Sequence, residues 1–302
     1  MGKDLTRTES RLLDAREEIV AKVFGEQPKM FSHAVLCALG LPYRKPADDV
    51  RNFQRTSGRA SLLLEAGMVP SRGGGWEPVG LPYGPKSRLL LLHLCSEAVY
   101  KQSPLVEVED SFTAFARSIG ISTCGRSLKM LREQINRMSV VSMRLSKTYG
   151  DTVDVFQGHL FSKFQAHTPE DINQLQLWTS FVEFSPNFYT SLAQNSVPVS
   201  KDAIGALKHS SRALDIYTWL AHRLWRVPTN KPVFLSWGLM RQQFGEPEQN
   251  IKSFKRAFST ALKQVLVVYP RAKVDSVYGG IELRHSPPPI APRKQKWSNL
   301  IY

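Results

Sequence analysis

The chain has 302 residues, enough for about two domains at the usual ~100–200 residues each, and its 42% hydrophobic content can bury real cores, which excludes overall disorder. Lysine and arginine total 40 against 26 acidic residues, a net charge of +14, and such a field attracts polyanions, with nucleic acid the default partner. Cys37, Cys95 and Cys124 are too few and too scattered for a disulfide framework, Met1 to Glu18 alternates charges with leucines unlike a signal peptide, and no apolar stretch approaches the ~20 residues that cross a bilayer, so neither export nor membrane spanning is supported and a reduced, cytoplasmic protein is expected.

Residues Leu5 to Phe24 set Leu5, Leu12, Leu13, Ile19, Val20, Val23 and Phe24 mostly three or four apart among charges, which predicts an amphipathic helix packing on the body or on a second chain. Leu41 to Arg59 scatters Arg44, Lys45, Arg51, Arg55 and Arg59 among prolines and polar residues and reads as a basic, partly irregular, solvated connector. Ser61 to Leu64 predicts a strand, and Gly73-Gly74-Gly75 a turn ahead of Val79 to Tyr83. The run from Gly80 to Ser87 has the look of a phosphate-binding loop, but Pro85 separates Gly84 from Lys86 and removes an amide donor; it suits a helix start instead.

From here the chain repeats itself at an offset of about 125 residues. Ser87-Arg88-Leu89-Leu90 is matched by Ser211-Arg212-Ala213-Leu214, and Ser111-Phe112, Phe115, Ile119 and Gly120 by Ser236-Trp237, Met240, Phe244 and Gly245. Each unit reads as a long helix (Lys86 to Lys101, Ala203 to Arg226), a short strand (Leu105 to Val108, Val233 to Leu235), and a serine capping a short helix. That helix ends at a glycine able to take positive φ, Gly120 or Gly245, and a second helix follows.

In the first unit the second helix runs from about Arg126 to Met138, with Leu128, Leu131, Ile135 and Met138 on one face and Lys129, Arg132, Asn136 and Arg137 away from it. In the second it runs from about Gln249 to Val265, with Phe254, Phe258, Ala261 and Leu262 inside and Lys252, Lys255, Arg256 and Lys263 outside. Hairpins follow: Val140 to Lys147 with Thr152 to Phe156, and Ala272 to Val277 with Ile281 to Arg284. Helix, turn, helix and hairpin make a winged helix. The expected fold class is therefore α+β: two tandem winged-helix domains, over 59–170 and 171–290, preceded by a helical arm and connector over 1–58 and followed by a basic tail over 291–302. The candidate DNA contacts are Arg126, Lys129, Arg132 and Asn136 in the first unit and Lys252, Lys255, Arg256 and Lys263 in the second.

No catalytic or cofactor pattern competes with this reading. The seven histidines show no H-x-E or H-E-x-x-H spacing, and the cysteines no C-x-x-C, so neither metal nor catalytic residues are assigned. Trp178, Phe181, Phe184, Phe188 and Tyr189, between the units, read as an interior between domains rather than a base-stacking platform; Tyr217, Trp219 and Trp225 read as packing residues.

Several strings add a resemblance. Leu81-Pro82-Tyr83-Gly84-Pro85-Lys86-Ser87-Arg88-Leu89, Ala213-Leu214-Asp215-Ile216-Tyr217-Thr218-Trp219-Leu220-Ala221, Gln243-Phe244-Gly245, Val268-Tyr269-Pro270-Arg271-Ala272 and Ser286-Pro287-Pro288 resemble the plasmid-encoded RepA family of replication initiators, over about Arg59 to Pro289. The resemblance implies a bacterial, plasmid-associated protein that binds repeated double-stranded DNA sites at its origin, helps open the duplex and recruits host machinery. The host initiator and replicative helicase are the implied partners, and a homodimer one implied assembly. Two other functions compete: a winged-helix repressor of a mobile element, and a nuclease or nucleotide-driven replication enzyme, for which the residues offer no site.

Overall fold

The computed structural model describes residues 6–22, 28–71, 74–109, 111–149, 152–165, 181–246 and 249–290. Helix α1 (Arg7–Ala21) begins with a reciprocal cap in which Thr6 Oγ1 accepts from the Glu9 amide while the Glu9 carboxylate accepts from the Thr6 amide. Its Leu12 and Ile19 are buried, Arg11 Nε donates to the Ala206 carbonyl at 2.9 Å, and Lys22 Nζ lies 2.5 Å from Asp202. The arm therefore packs on the body of its own chain.

Strand β1 (Lys29–His33) leads directly into α2 (Ala34–Ala38). Next come the hairpin of β2 (Asn52–Ser57) and β3 (Ala60–Glu65), and the short pair β4 (Met68–Pro70) and β5 (Trp76–Pro78). The connector is thus more ordered and less solvated than its composition suggests. Arg51 donates to the carbonyls of Val79, Ala66 and Gly67, and Arg55 is 5% exposed. Guanidinium groups enter an interior where backbone carbonyls meet their donors, and composition does not record where those carbonyls are.

The first repeat unit contains α3 (Gly84–Lys101), β6 (Leu105–Glu107), α4 (Phe112–Ser118), α5 (Gly125–Val140), β7 (Ser142–Tyr149), β8 (Thr152–His159), β9 (Phe161–Gln165) and β10 (Phe181–Phe184). Strands β7 and β8 form the expected hairpin, but it joins the connector in a four-stranded antiparallel sheet of order β2-β3-β7-β8. The strand beside β6 is instead β10, which also pairs with β9, giving the order β6-β10-β9. Trp178 lies outside the described residues.

Helix α6 (Pro186–Asn195) leads to β11 (Ser196–Ser200), which pairs with β1. The single long helix expected from Ala203 to Arg226 is two: α7 (Lys201–Leu207) and α8 (Ser211–Arg223), the latter continuing into a 3-10 turn, Leu224–Arg226. Ser210 interrupts it by capping α8, accepting from the Ala213 amide at 3.2 Å. The second unit then supplies β12 (Val233–Ser236), α9 (Trp237–Phe244), α10 (Ile251–Val268), β13 (Val274–Val277) and β14 (Gly280–Leu283), with sheet order β12-β14-β13. This order, first strand beside last with the middle one outermost, is that of β6-β10-β9.

Buried apolar side chains from α1 to β14 form one continuous cluster. Within it the Phe188 ring stacks on Phe184 at 5.3 Å and on His33 at 5.5 Å, so this pair belongs to the interior. Tyr217 packs edge-on against Tyr269 at 6.0 Å and Trp219 against Phe244 at 5.2 Å, whereas Trp225 remains 41% exposed beneath the Arg226 guanidinium.

Candidate nucleic-acid interface

The second unit builds its outer helix from a tight apolar base. Asn250 caps α10 by accepting from the Ser253 amide at 2.8 Å, and Phe254, Phe258, Ala261, Leu262, Val265 and Val268 are buried along one side. The Trp237 ring of α9 meets Phe254 and Phe258 edge-on at 6.4 and 5.9 Å, fixing the two helices against each other. Lys252, Lys255, Arg256 and Lys263 all remain exposed on the other side. Lys255 Nζ stands 5.7 Å from the Trp237 ring centroid, a cation–π contact that leaves the lysine at the surface.

The turn between α9 and α10 is braced from outside the unit by Arg55 and Ala38, and from within it by Arg212 of α8. Arg55 Nη2 donates to the Gly245 carbonyl at 2.9 Å, Gln243 Nε2 to the Ala38 carbonyl at 2.8 Å, and Arg212 Nη2 to Gln249 Oε1 at 3.2 Å. Gly245 does not use the positive φ expected of it: its φ is −82°, in extended backbone. Space rather than handedness requires glycine here, because a Cβ would lie 2.4 Å from the Arg241 carbonyl oxygen. Gly120, its counterpart, does take φ 76°, and its carbonyl accepts from Lys208 Nζ at 2.9 Å.

On α5 of the first unit, Leu128, Leu131, Ile135 and Met138 face inward, while Arg126, Lys129 and Asn136 are exposed. Arg132 is half-buried, its guanidinium 5.3 Å from the Phe112 ring centroid. Arg137 does not belong to the outer face: it is 8% exposed, donates to the Leu81 carbonyl at 2.9 Å and to Glu133 at 2.7 Å, and lies over Tyr83. Gln134 faces the same way and accepts from the Tyr83 amide at 2.8 Å. Helical spacing placed Arg137 outside because it could not see the Leu81 to Tyr83 segment arriving from another part of the chain. Arg55 and Lys208, which hold the two turns, carry no sequence signal either, since each acts on a carbonyl far away along the chain.

Between the units, the guanidinium carbons of Arg55, Arg88 and Arg212 stand 5.1, 5.0 and 4.8 Å from the Tyr43 ring centroid. Burial pushes the Tyr43 hydroxyl up to about 12. Among the described residues no group of three His, Cys, Asp or Glu side chains is placed to hold a metal ion, and no helix is long and apolar enough to cross a membrane.

The molecule is thus a mixed helix-and-sheet protein whose two repeat units each carry an exposed basic helix. The profile of the family described as plasmid-encoded RepA protein matches residues 81–238, more than half of the chain, and the chain belongs to that family. The assignment supports a replication-initiator role. Two crystal structures of RctB domains 2 and 3 align with this chain, and the first of them shares its fold. A selenomethionine derivative superposes with a TM-score of 0.50 at 11% identity, covering 83% of this chain and 98% of its own. A second has a TM-score of 0.49 at 11% identity, covering 82% and 94%. No curated protein matches the sequence significantly.

Proposed function

We propose that this chain is a non-enzymatic plasmid replication initiator that binds repeated double-stranded sites at its origin through two winged helices and brings host replication proteins there. The observation that carries this reading is the exposed row of Lys252, Lys255, Arg256 and Lys263 on α10, a helix held by a buried aromatic base and a braced turn. A rigid helix offering cations on one side suits the major groove, where arginine reads guanine edges bidentately and lysine neutralises phosphate. Arg126, Lys129, Arg132 and Asn136 are assigned the same task on α5. The matching strand orders β6-β10-β9 and β12-β14-β13 support calling both units winged helices. On this reading the first unit runs through Phe184 rather than ending at residue 170, since β10 is the strand between β6 and β9.

The test starts with the wild-type chain selecting duplexes from a random pool, followed by binding of the enriched duplex across a salt series. Replacing Lys252, Lys255 and Arg256 by glutamine should weaken binding and reduce the slope of log K against log salt by about 2–3, because fewer counterions are released. An unchanged slope in the folded variant removes α10 from the interface. Maintenance of a plasmid carrying the gene and its flanking DNA, in a host that otherwise loses it, separates an initiator from a repressor.

A further inference from the structure

The hairpin of β13 and β14 turns through Tyr278 and Gly279, and at its tip the Tyr278 side chain is as exposed as it would be in an isolated peptide, at 103%. Phe234, on the neighbouring strand β12, is 51% exposed, and its ring lies 3.7 Å from where a Cβ on Gly279 would be. Large aromatics are usually at least partly covered, and two so exposed at the end of a hairpin and on the strand behind it leave an apolar surface that nothing among the described residues covers.

This tip adjoins the cationic face of α10. The Trp237 amide donates to the Gly279 carbonyl at 3.0 Å, and the Trp237 ring carries Lys255 on its face. One residue, Trp237, therefore joins the hairpin turn to a lysine assigned to DNA. The hairpin strands themselves bring no excess of positive charge: Arg284 is held by Asp275 and Glu282, each at 3.2 Å. A contact made here with a polyanion must come from an uncharged group.

We propose that Tyr278 is a DNA-contacting residue that enters the minor groove beside the major-groove site of α10 and wedges its ring against a base step, with Phe234 behind it. The inference rests on the DNA-binding reading and deepens it by naming a contact that is aromatic and not ionic. Rings inserted this way part-unstack a step and kink the duplex.

The experiment measures the wild-type chain and the variants Tyr278→Ala and Tyr278→Phe on the duplex enriched by the wild type, with fluorophores at both ends to report bending. Tyr278→Ala should melt at the wild-type temperature, bind about tenfold more weakly, the scale of one lost aromatic stack, keep the wild-type salt slope, and bend the duplex less. Tyr278→Phe should behave as the wild type. Unchanged affinity and bending in Tyr278→Ala overturns the inference while leaving the DNA-binding reading intact. A Tyr278→Phe variant as weak as Tyr278→Ala also overturns it, by assigning the contact to the hydroxyl. A wild-type chain that binds no duplex overturns both.

Discussion

The Arg88 guanidinium grips the Asp215 carboxylate with two parallel hydrogen bonds, Nε to Oδ1 at 2.6 Å and Nη2 to Oδ2 at 2.7 Å, across the 127 positions that separate them in the chain. The remaining donors reach the carbonyls of Leu41, Pro42 and Gly84, so every N–H of the guanidinium has a partner. Both side chains are almost fully buried, at 6% and 8% exposure. The pair ties α3 of the first unit to α8 of the second and, through Leu41 and Pro42, to the connector. It closes a path that reaches the α9–α10 turn through Tyr43, Arg212 and Arg55.

Removing one partner leaves the other charged and buried. Arg88→Met should destabilise the chain by about 3–5 kcal/mol, and the double variant Arg88→Met with Asp215→Leu should recover a large part of that loss. Urea unfolding followed by circular dichroism measures both. A single variant as stable as the wild type would mean that water reaches the pair. Gly40→Ala tests the same site from the other side, since its Cβ would fall 1.8 Å from Asp215 Oδ2; it should cost stability by displacing the carboxylate.

His93, on the face of α3 turned toward α1 and α7, is held neutral. Burial chiefly, then Lys201 and Lys101, lower its pKa from 6.5 to about 4. The unfolded chain thus binds a proton between these values that the folded chain does not, so this contribution to stability is complete above about pH 6.5 and is lost as pH falls toward 4. His93→Phe, which keeps a ring against Phe115, should show a shallower loss of stability over that interval than the wild type. Denaturant midpoints at pH 7, 6, 5 and ~4 for both proteins make the comparison; identical slopes would reject it.

The three cysteines should separate cleanly in reactivity. Cys124, exposed at the start of α5, has its thiol drawn down to about 7 by hydrogen bonding with Ser127 and Ser122, with Lys86 adding to the effect. Burial pushes Cys37 up to about 12 and raises Cys95 as well. Iodoacetamide near neutral pH should therefore add one group to the native chain, at Cys124, and three after denaturation, as read by intact mass and peptide mapping. Labelling of native Cys124→Ser at either remaining cysteine would show that the core opens at that site.

Much of the local architecture was legible because it is written in short-range terms. Ser111 and Ser236 cap their helices by accepting from the Ala114 and Leu239 amides, and the Phe254, Phe258 and Leu262 stripe turns inward as helical spacing requires. Lys252, Lys255 and Arg256 are exposed because that same spacing leaves them on the opposite side.

The sequence by itself determined the repeat, most of its helices and strands, and which face of α10 carries charge, since periodicity and caps act within a few residues. Only the tertiary structure decided that Arg137 and Arg55 turn inward, that β10 and not the β7–β8 hairpin completes the first unit's sheet, and that Arg88 meets Asp215. A buried guanidinium or a strand edge is settled by whichever carbonyls or carboxylate the rest of the chain brings to it. Those partners lie tens to nearly two hundred positions away, beyond the reach of any local pattern.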